Sequence, residues 1–174
     1  FPALLKNIQD TFGKKCALLT IPIGHGTGFK GVVNALMPPD NVPDGLLLGL
    51  DEAKTALTDA IVEADETLTE KYLMEGAVSS EELLATLPKA MAADTFIPIF
   101  CTAAKKEIGV AELLDCITTY GVCPVLGHKR EGIKGSGEKA EKVVFEPKEA
   151  GEFTAVVFKT LSDKFVGHLC FLRV

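Results

Sequence analysis

Apolar and polar positions along this chain follow two different periods, and the switches between them mark its elements. In residues 3–12, Leu4, Leu5 and Ile8 recur at helical spacing until Gly13, where a glycine can take the left-handed conformation that ends a helix. Residues 17–23 form a continuous apolar run of strand length, and Pro22, which has no ladder donor, predicts an end or edge position. A second strand is expected over residues 31–36. From about residue 51 to 73, Leu57, Ile61, Ala64, Leu68 and Tyr72 recur at three- and four-residue steps, predicting one long helix with a single apolar face. Ser79 stands three residues ahead of Glu82, so hydroxyl and carboxylate can satisfy each other's helix-start amides. A further helix therefore starts near Ser80, and Pro88 within it predicts a kink or break.

Residues 96–101 read as a buried strand, and Val110, Leu113, Leu114 and Ile117 then mark a helix closing near Gly121. Strand, polar loop and helix make an α/β unit. Between Gly121 and Gly151 the chain turns to Gly, Lys, Glu and Pro with little periodicity apart from Val143-Val144-Phe145, which predicts a linker and a domain boundary. Beyond it, residues 153–159 and 166–174 are β-rich and joined by Leu161-Ser162-Asp163-Lys164, the pattern of a hairpin. The chain ends within this β-rich stretch, so a truncated sheet is expected.

Composition narrows the function classes. With 174 residues, 47% hydrophobic and 24% charged, the chain can bury a core and does not carry the signature of disorder. A net charge of −6 disfavours broad neutralisation of nucleic-acid phosphates. Five cysteines without a C-x-x-C pair suggest neither a disulfide framework nor a zinc ribbon, and fit a reducing, cytoplasmic setting. No apolar run approaches the roughly 18 residues of a membrane span.

The glycine-rich stretch from Gly24 to Gly31 invites comparison with a phosphate loop, but Lys30 follows Phe29 and precedes Gly31, so the Gly-Lys-Ser/Thr spacing fails and a connecting turn is the better reading. His25, His128 and His168 have no ligand-spaced partner, so no metal site is expected. On the outer side of the predicted long helix, Asp59, Glu63, Glu66 and Glu70 follow steps of four, three and four and form an acidic ridge. Such a ridge is either a solvated face or a docking surface for a basic partner.

Several segments, in one order along nearly the whole chain, resemble elongation factor G. They run from Ile21-Pro22-Ile23-Gly24 and Phe29-Lys30-Gly31-Val32-Val33 through Glu63-Ala64-Asp65-Glu66 and Glu70-Lys71-Tyr72-Leu73. They continue with Pro98-Ile99-Phe100-Cys101, Ile108-Gly109-Val110 and Leu113-Leu114-Asp115, and end with Val157-Phe158-Lys159-Thr160 and Phe165-Val166-Gly167. The resemblance implies an α/β chain: residues 1–122 as the last part of a P-loop GTPase domain, interrupted over about 24–94 by an inserted α+β G′ subdomain. A linker at 123–150 and the first strands of a β-barrel second domain at 151–174 would follow.

The same resemblance implies that Ala103, Ala104 and Lys105 match the core of the loop whose backbone amides help recognise guanine, with Ala103 where the family usually has serine. GTP and Mg would be bound only by the intact parent, because the phosphate loop, switch segments and Asn-Lys-x-Asp motif precede the equivalent of Phe1 in the family. The fragment alone is therefore not expected to hydrolyse GTP. The implied partner is the ribosome, including its stalk protein, which in the family meets the acidic helix of the inserted subdomain, where Asp59, Glu63, Glu66 and Glu70 fall. Departures such as the short segment from Met37 to Leu50 and Lys164 in place of a common proline fit an elongation-factor-G-like paralogue as well as the housekeeping factor. A free-standing protein-binding module is the alternative, and a cysteine enzyme a third class that would need an activated thiol.

Overall fold

The computed structural model describes residues 1–125, 127, 129–137, 140–148, 150–151 and 153–174. The chain divides into two compact units, Phe1–Gly127 and His128–Val174.

The first unit is a mixed α/β assembly. Helix α1 (Pro2–Phe12) opens with proline in its first turn, where the missing N–H is no loss, and stops at Gly13, whose N–H donates to Gln9 O. Gly13 has a positive φ of 95° but an extended ψ of 166°, so it ends the helix without adopting the left-handed helical conformation. The apolar run that follows is not one strand. It divides at Leu19 into β1 (Cys16–Leu18) and β2 (Thr20–Ile23). The N–H of Leu19 donates to Ile99 O and its carbonyl accepts from Ala35 N–H, so this one residue serves two ladders pointing in different directions.

Strand β2 pairs antiparallel with β3 (Gly31–Asn34), with Pro22 opposite Val32 in a two-stranded ribbon where it disrupts no third strand. The turn between them carries a single 3-10 turn at Gly26–Gly28. Gly24 in this turn has φ of 71°, and a Cβ there would collide with the Gly28 carbonyl, so the glycines are used to fold the connection tightly.

The expected long helix is two helices. α2 (Leu50–Val62) ends at Glu63, and α3 (Glu66–Glu75) begins after Asp65, whose extended backbone and side chain, accepting from Leu68 N–H at 3.2 Å, make it an N-cap. An aspartate cap followed by Glu66 in the first turn starts a new helix, and this local signal outweighs the continuing apolar period. α4 (Ser80–Ala92) begins with the expected capping box: Glu82 N–H donates to Ser79 Oγ at 3.3 Å, and Ser79 N–H donates to Glu82 Oε2 at 3.0 Å. The helix runs on through Pro88 without a break.

Strand β4 (Ile97–Ile99) then pairs parallel with β1, and α5 (Val110–Tyr120) follows. The core lies where α2 meets β1 and α4: Ile21, Leu36, Leu57, Ile61, Leu83, Leu87 and Phe96 are each at most 1% exposed. Burying side chains of this size contributes about 1.5–3 kcal/mol each before entropy is counted.

The second unit contains two antiparallel hairpins. β5 (Arg130–Lys134) pairs with β6 (Glu141–Phe145), within the stretch expected to be a linker. β7 (Val156–Asp163) pairs with β8 (Gly167–Arg173), and the Asp163 carboxylate accepts from the N–H groups of Phe165 and Val166 to close the turn. The turn therefore falls after Asp163, later than the sequence pattern places it. Every residue of β7 and β8 is exposed, and no barrel closes among the described residues. No helix among them is long and apolar enough to cross a membrane.

Candidate functional site

The break between α2 and α3 changes the geometry of the acidic residues. On one straight helix they would form a convex ridge. Here Asp59 lies on α2, Glu63 at its end, and Glu66 and Glu70 on α3, and all four line one open groove of about 590 Å³. Val62 and Thr69 also line it, with the Thr69 hydroxyl donating to Val62 O at 2.7 Å across the joint between the helices. Tyr72 and Leu73 complete the lining, and Leu73 is 79% exposed.

α3 is placed by a reciprocal arrangement with α4. Asp65, the cap of α3, is paired with Lys89 of α4 at 2.8 Å, while Glu82, in the capping box of α4, is paired with Lys71 of α3 at 2.6 Å. Each capping carboxylate is thus held by a lysine of the other helix. The Lys89 ammonium, with the Leu68 N–H, lowers the Asp65 carboxyl from its ordinary value. Lys71, with the Ser79 hydroxyl and N–H, holds the Glu82 carboxyl at about 2.

None of Asp59, Glu63, Glu66 and Glu70 forms an ion pair among the described residues, although lysines nearby are committed to Asp65 and Glu82. Glu66 and Glu70 are one helical turn apart, and like charges at that spacing cost a helix about 0.2–0.5 kcal/mol. Burial, with the negative charge of Asp59 beside it, pushes the Tyr72 hydroxyl above its ordinary value, so the phenol stays neutral. The groove is therefore an open anionic surface with apolar lining from Tyr72 and Leu73, suited to a cationic partner and carrying no metal cluster among the described residues.

The loop after β4 is a separate feature. Cys101 N–H donates to the fully buried Thr20 hydroxyl at 3.0 Å, fixing the start of the loop to β2. Ala103 N–H donates to Ile108 O at 2.9 Å and is thus already used. Ala104 and Lys105 open a 3-10 turn, Ala104–Lys106, and their amides have no acceptor among the described residues. Gly109, at φ of 72°, lets the chain pass beside the Cys101 carbonyl, where any Cβ would collide. A second, mostly apolar cleft of about 340 Å³ is lined by Leu4, Ile8, Leu18, Phe29, Cys101 and Thr102 among others, but not by Ala103, Ala104 or Lys105.

All five cysteines are free, and burial pushes the Cys101 and Cys116 thiols above their ordinary value, the reverse of activation. No group of three or more metal-ligating side chains exists among the described residues, and His128 lies outside them. The sequence pattern missed the contribution of Tyr72 and Leu73 to the acidic surface. The signal that would have found them is Asp65 followed by Glu66, the cap at which α3 starts afresh.

No family model matches the chain. A crystal structure of a protein from Thermus thermophilus is similar to it over 99% of this chain, with a TM-score of 0.61 and 22% sequence identity. The chain spans 24% of the length of that protein. At this identity the likeness concerns the fold, and that fold is the mixed α/β arrangement of short sheets and helices described above.

Proposed function

We propose that this chain is a piece of a ribosome-associated translational GTPase resembling elongation factor G, and that its own contribution is to dock a ribosomal partner. In this reading Phe1–Gly127 contains the late part of a P-loop GTPase domain with an inserted G′ subdomain, and β7–β8 begins a β-barrel domain. The order of family-like segments along the chain supports it, as does the parallel pairing of β1 with β4 across a long helical insertion. GTP and Mg belong to the intact parent. The amides of Ala104 and Lys105, without an acceptor among the described residues, fit one such as a guanine carbonyl, while Ala103 offers neither a free amide nor a hydroxyl.

The observation that carries the docking role is the convergence of Asp59, Glu63, Glu66 and Glu70 on one groove without a compensating base among the described residues. Complementary charge speeds encounter and fixes orientation more than it deepens affinity, which suits a transient ribosomal contact. Titration of the chain against the ribosomal stalk protein tests this. Binding should weaken on going from low to physiological salt and be lost in the quadruple Lys variant of Asp59, Glu63, Glu66 and Glu70. Failure of the folded wild type to bind at low salt refutes the docking role.

A further inference from the structure

We propose that α1 is a hinged lid over an apolar cleft, and that it opens as a unit while the core of the first unit stays folded. The inference concerns access to this cleft and is independent of the docking reading above.

The cleft of about 340 Å³ is lined by Leu4, Leu5 and Ile8 of α1 together with Leu18, Ile99 and Phe29. Its walls do not close on each other, since Leu4 lines it and is still 62% exposed. No residue of α1 is buried, and among the described residues none belongs to the hydrophobic core or packs against it. By contrast, α2 and α4 place Leu57, Leu83 and Leu87 there at 0% exposure.

Polar contacts tie α1 down as sparsely. Lys6 pairs with Asp10, and the Thr11 hydroxyl donates to Asn7 O, so both interactions stay inside the helix. Among the described residues only the Gln9 side chain reaches out of it, donating from Nε2 to the Cys16 carbonyl at 3.0 Å. The joint itself is short. Gly13 holds φ of 95° and ψ of 166°, and one turn bond, from Cys16 N–H to Gly13 O, spans it. The chain is fixed again at Lys15, whose carbonyl accepts from Ile97 N–H at 2.8 Å and whose ammonium pairs with Asp94. Gly13 and Lys14 are thus the hinge, because a glycine crosses backbone regions closed to other residues.

The energetics point the same way. A helix of 11 residues is marginal in water without tertiary packing, and Leu5 and Ile8 are only half-buried. Undocking α1 therefore costs far less than unfolding α2 and α4, and such elements open locally. Opening uncovers Cys101, which lines the cleft, but not Cys116, which does not. Both thiols are free and lie in the same unit, so together they distinguish lid opening from global unfolding.

The test uses the full chain, with amide hydrogen exchange by NMR and iodoacetamide labelling resolved by peptide mass spectrometry. Amides of α1 should exchange at least roughly 100-fold faster than those of Leu57 and Ile61 in α2. Gln9→Ala should raise both α1 exchange and Cys101 labelling about two- to tenfold, the worth of one hydrogen bond. Leu5→Ala combined with Ile8→Ala should raise both about tenfold, since two half-buried side chains lose their contacts. Cys116 labelling and Ile61 exchange should stay at their wild-type rates in both variants. If α1 and α2 exchange at one rate, or Cys101 and Cys116 labelling rise together, α1 belongs to the cooperative core and the lid is refuted. If Cys101 labelling stays at its wild-type rate in both variants, α1 does not control access to the cleft, which refutes the lid equally.

Discussion

Replacing Thr20 by valine probes how the loop after β4 is held. The Thr20 side chain is 0% exposed and its hydroxyl accepts from the Cys101 N–H at 3.0 Å, a bond joining positions far apart in sequence. Valine keeps the shape and removes the acceptor. The orphaned N–H costs about 1–3 kcal/mol, and the added methyl group offsets at most about 0.8 kcal/mol. The net loss of about 0.2–2.2 kcal/mol lowers Tm by up to about 9 °C, at roughly 2–4 °C per kcal/mol.

Amide hydrogen exchange followed by NMR gives the local readout. In Thr20→Val the Cys101 amide should lose protection more than the Ala103 amide, which keeps its own acceptor in Ile108 O. Thr20→Ser, which retains the hydroxyl, should preserve Cys101 protection. An unchanged Tm together with unchanged exchange at Cys101 would show that the hydroxyl does not clamp the loop.

Two further substitutions test the surrounding geometry. Gly109→Ala forces a Cβ onto the Cys101 carbonyl at φ of 72° and should lower the unfolding free energy, read from urea titration, by more than the ~1 kcal/mol of an ordinary glycine-to-alanine strain; a neutral result would mean that the loop relaxes freely. The Glu82 carboxyl, held at about 2 by Lys71 and Ser79, gives a pH test. Because its folded-state value is depressed, its stabilising contribution is fully present above the ordinary value of 4.5 and is lost as pH falls toward 2. Glu82→Gln should therefore flatten the acid limb of Tm against pH between about 4.5 and 2, and parallel curves for the two proteins would remove the Lys71–Glu82 pair from the account of how α3 is held.

Local chemistry made much of the fold legible. The stops of α1 and α5 at Gly13 and Gly121 and the start of α4 at its capping box were legible because these effects act within a few residues and need no tertiary partner. The sequence pattern failed where a short local signal competed with a longer period. Apolar spacing from Leu57 to Tyr72 continues across the joint because Ala64 and Leu68 both turn toward the core, so periodicity alone could not reveal that Asp65 starts a new helix. Pro88 is the opposite case: its local cost predicts a break, yet Leu83, Leu87 and Ala90 are all buried and their packing keeps the helix continuous. The division at Leu19 was likewise hidden, since every residue from Cys16 to Pro22 is buried and no alternation marks where one ladder gives way to another.

By itself, then, the sequence determined which residues are acidic, at what spacing they recur, and that the segment carrying them is helical, because charge and periodicity are properties of neighbours in the chain. Only the tertiary structure decided that these carboxylates line one groove, that the nearby lysines are occupied elsewhere, and that Tyr72 and Leu73 line the same groove. The reason is physical: the lysines are taken up by Lys71–Glu82 and Lys89–Asp65, pairs whose members lie 11 and 24 residues apart and which therefore depend on where the fold places α3 and α4.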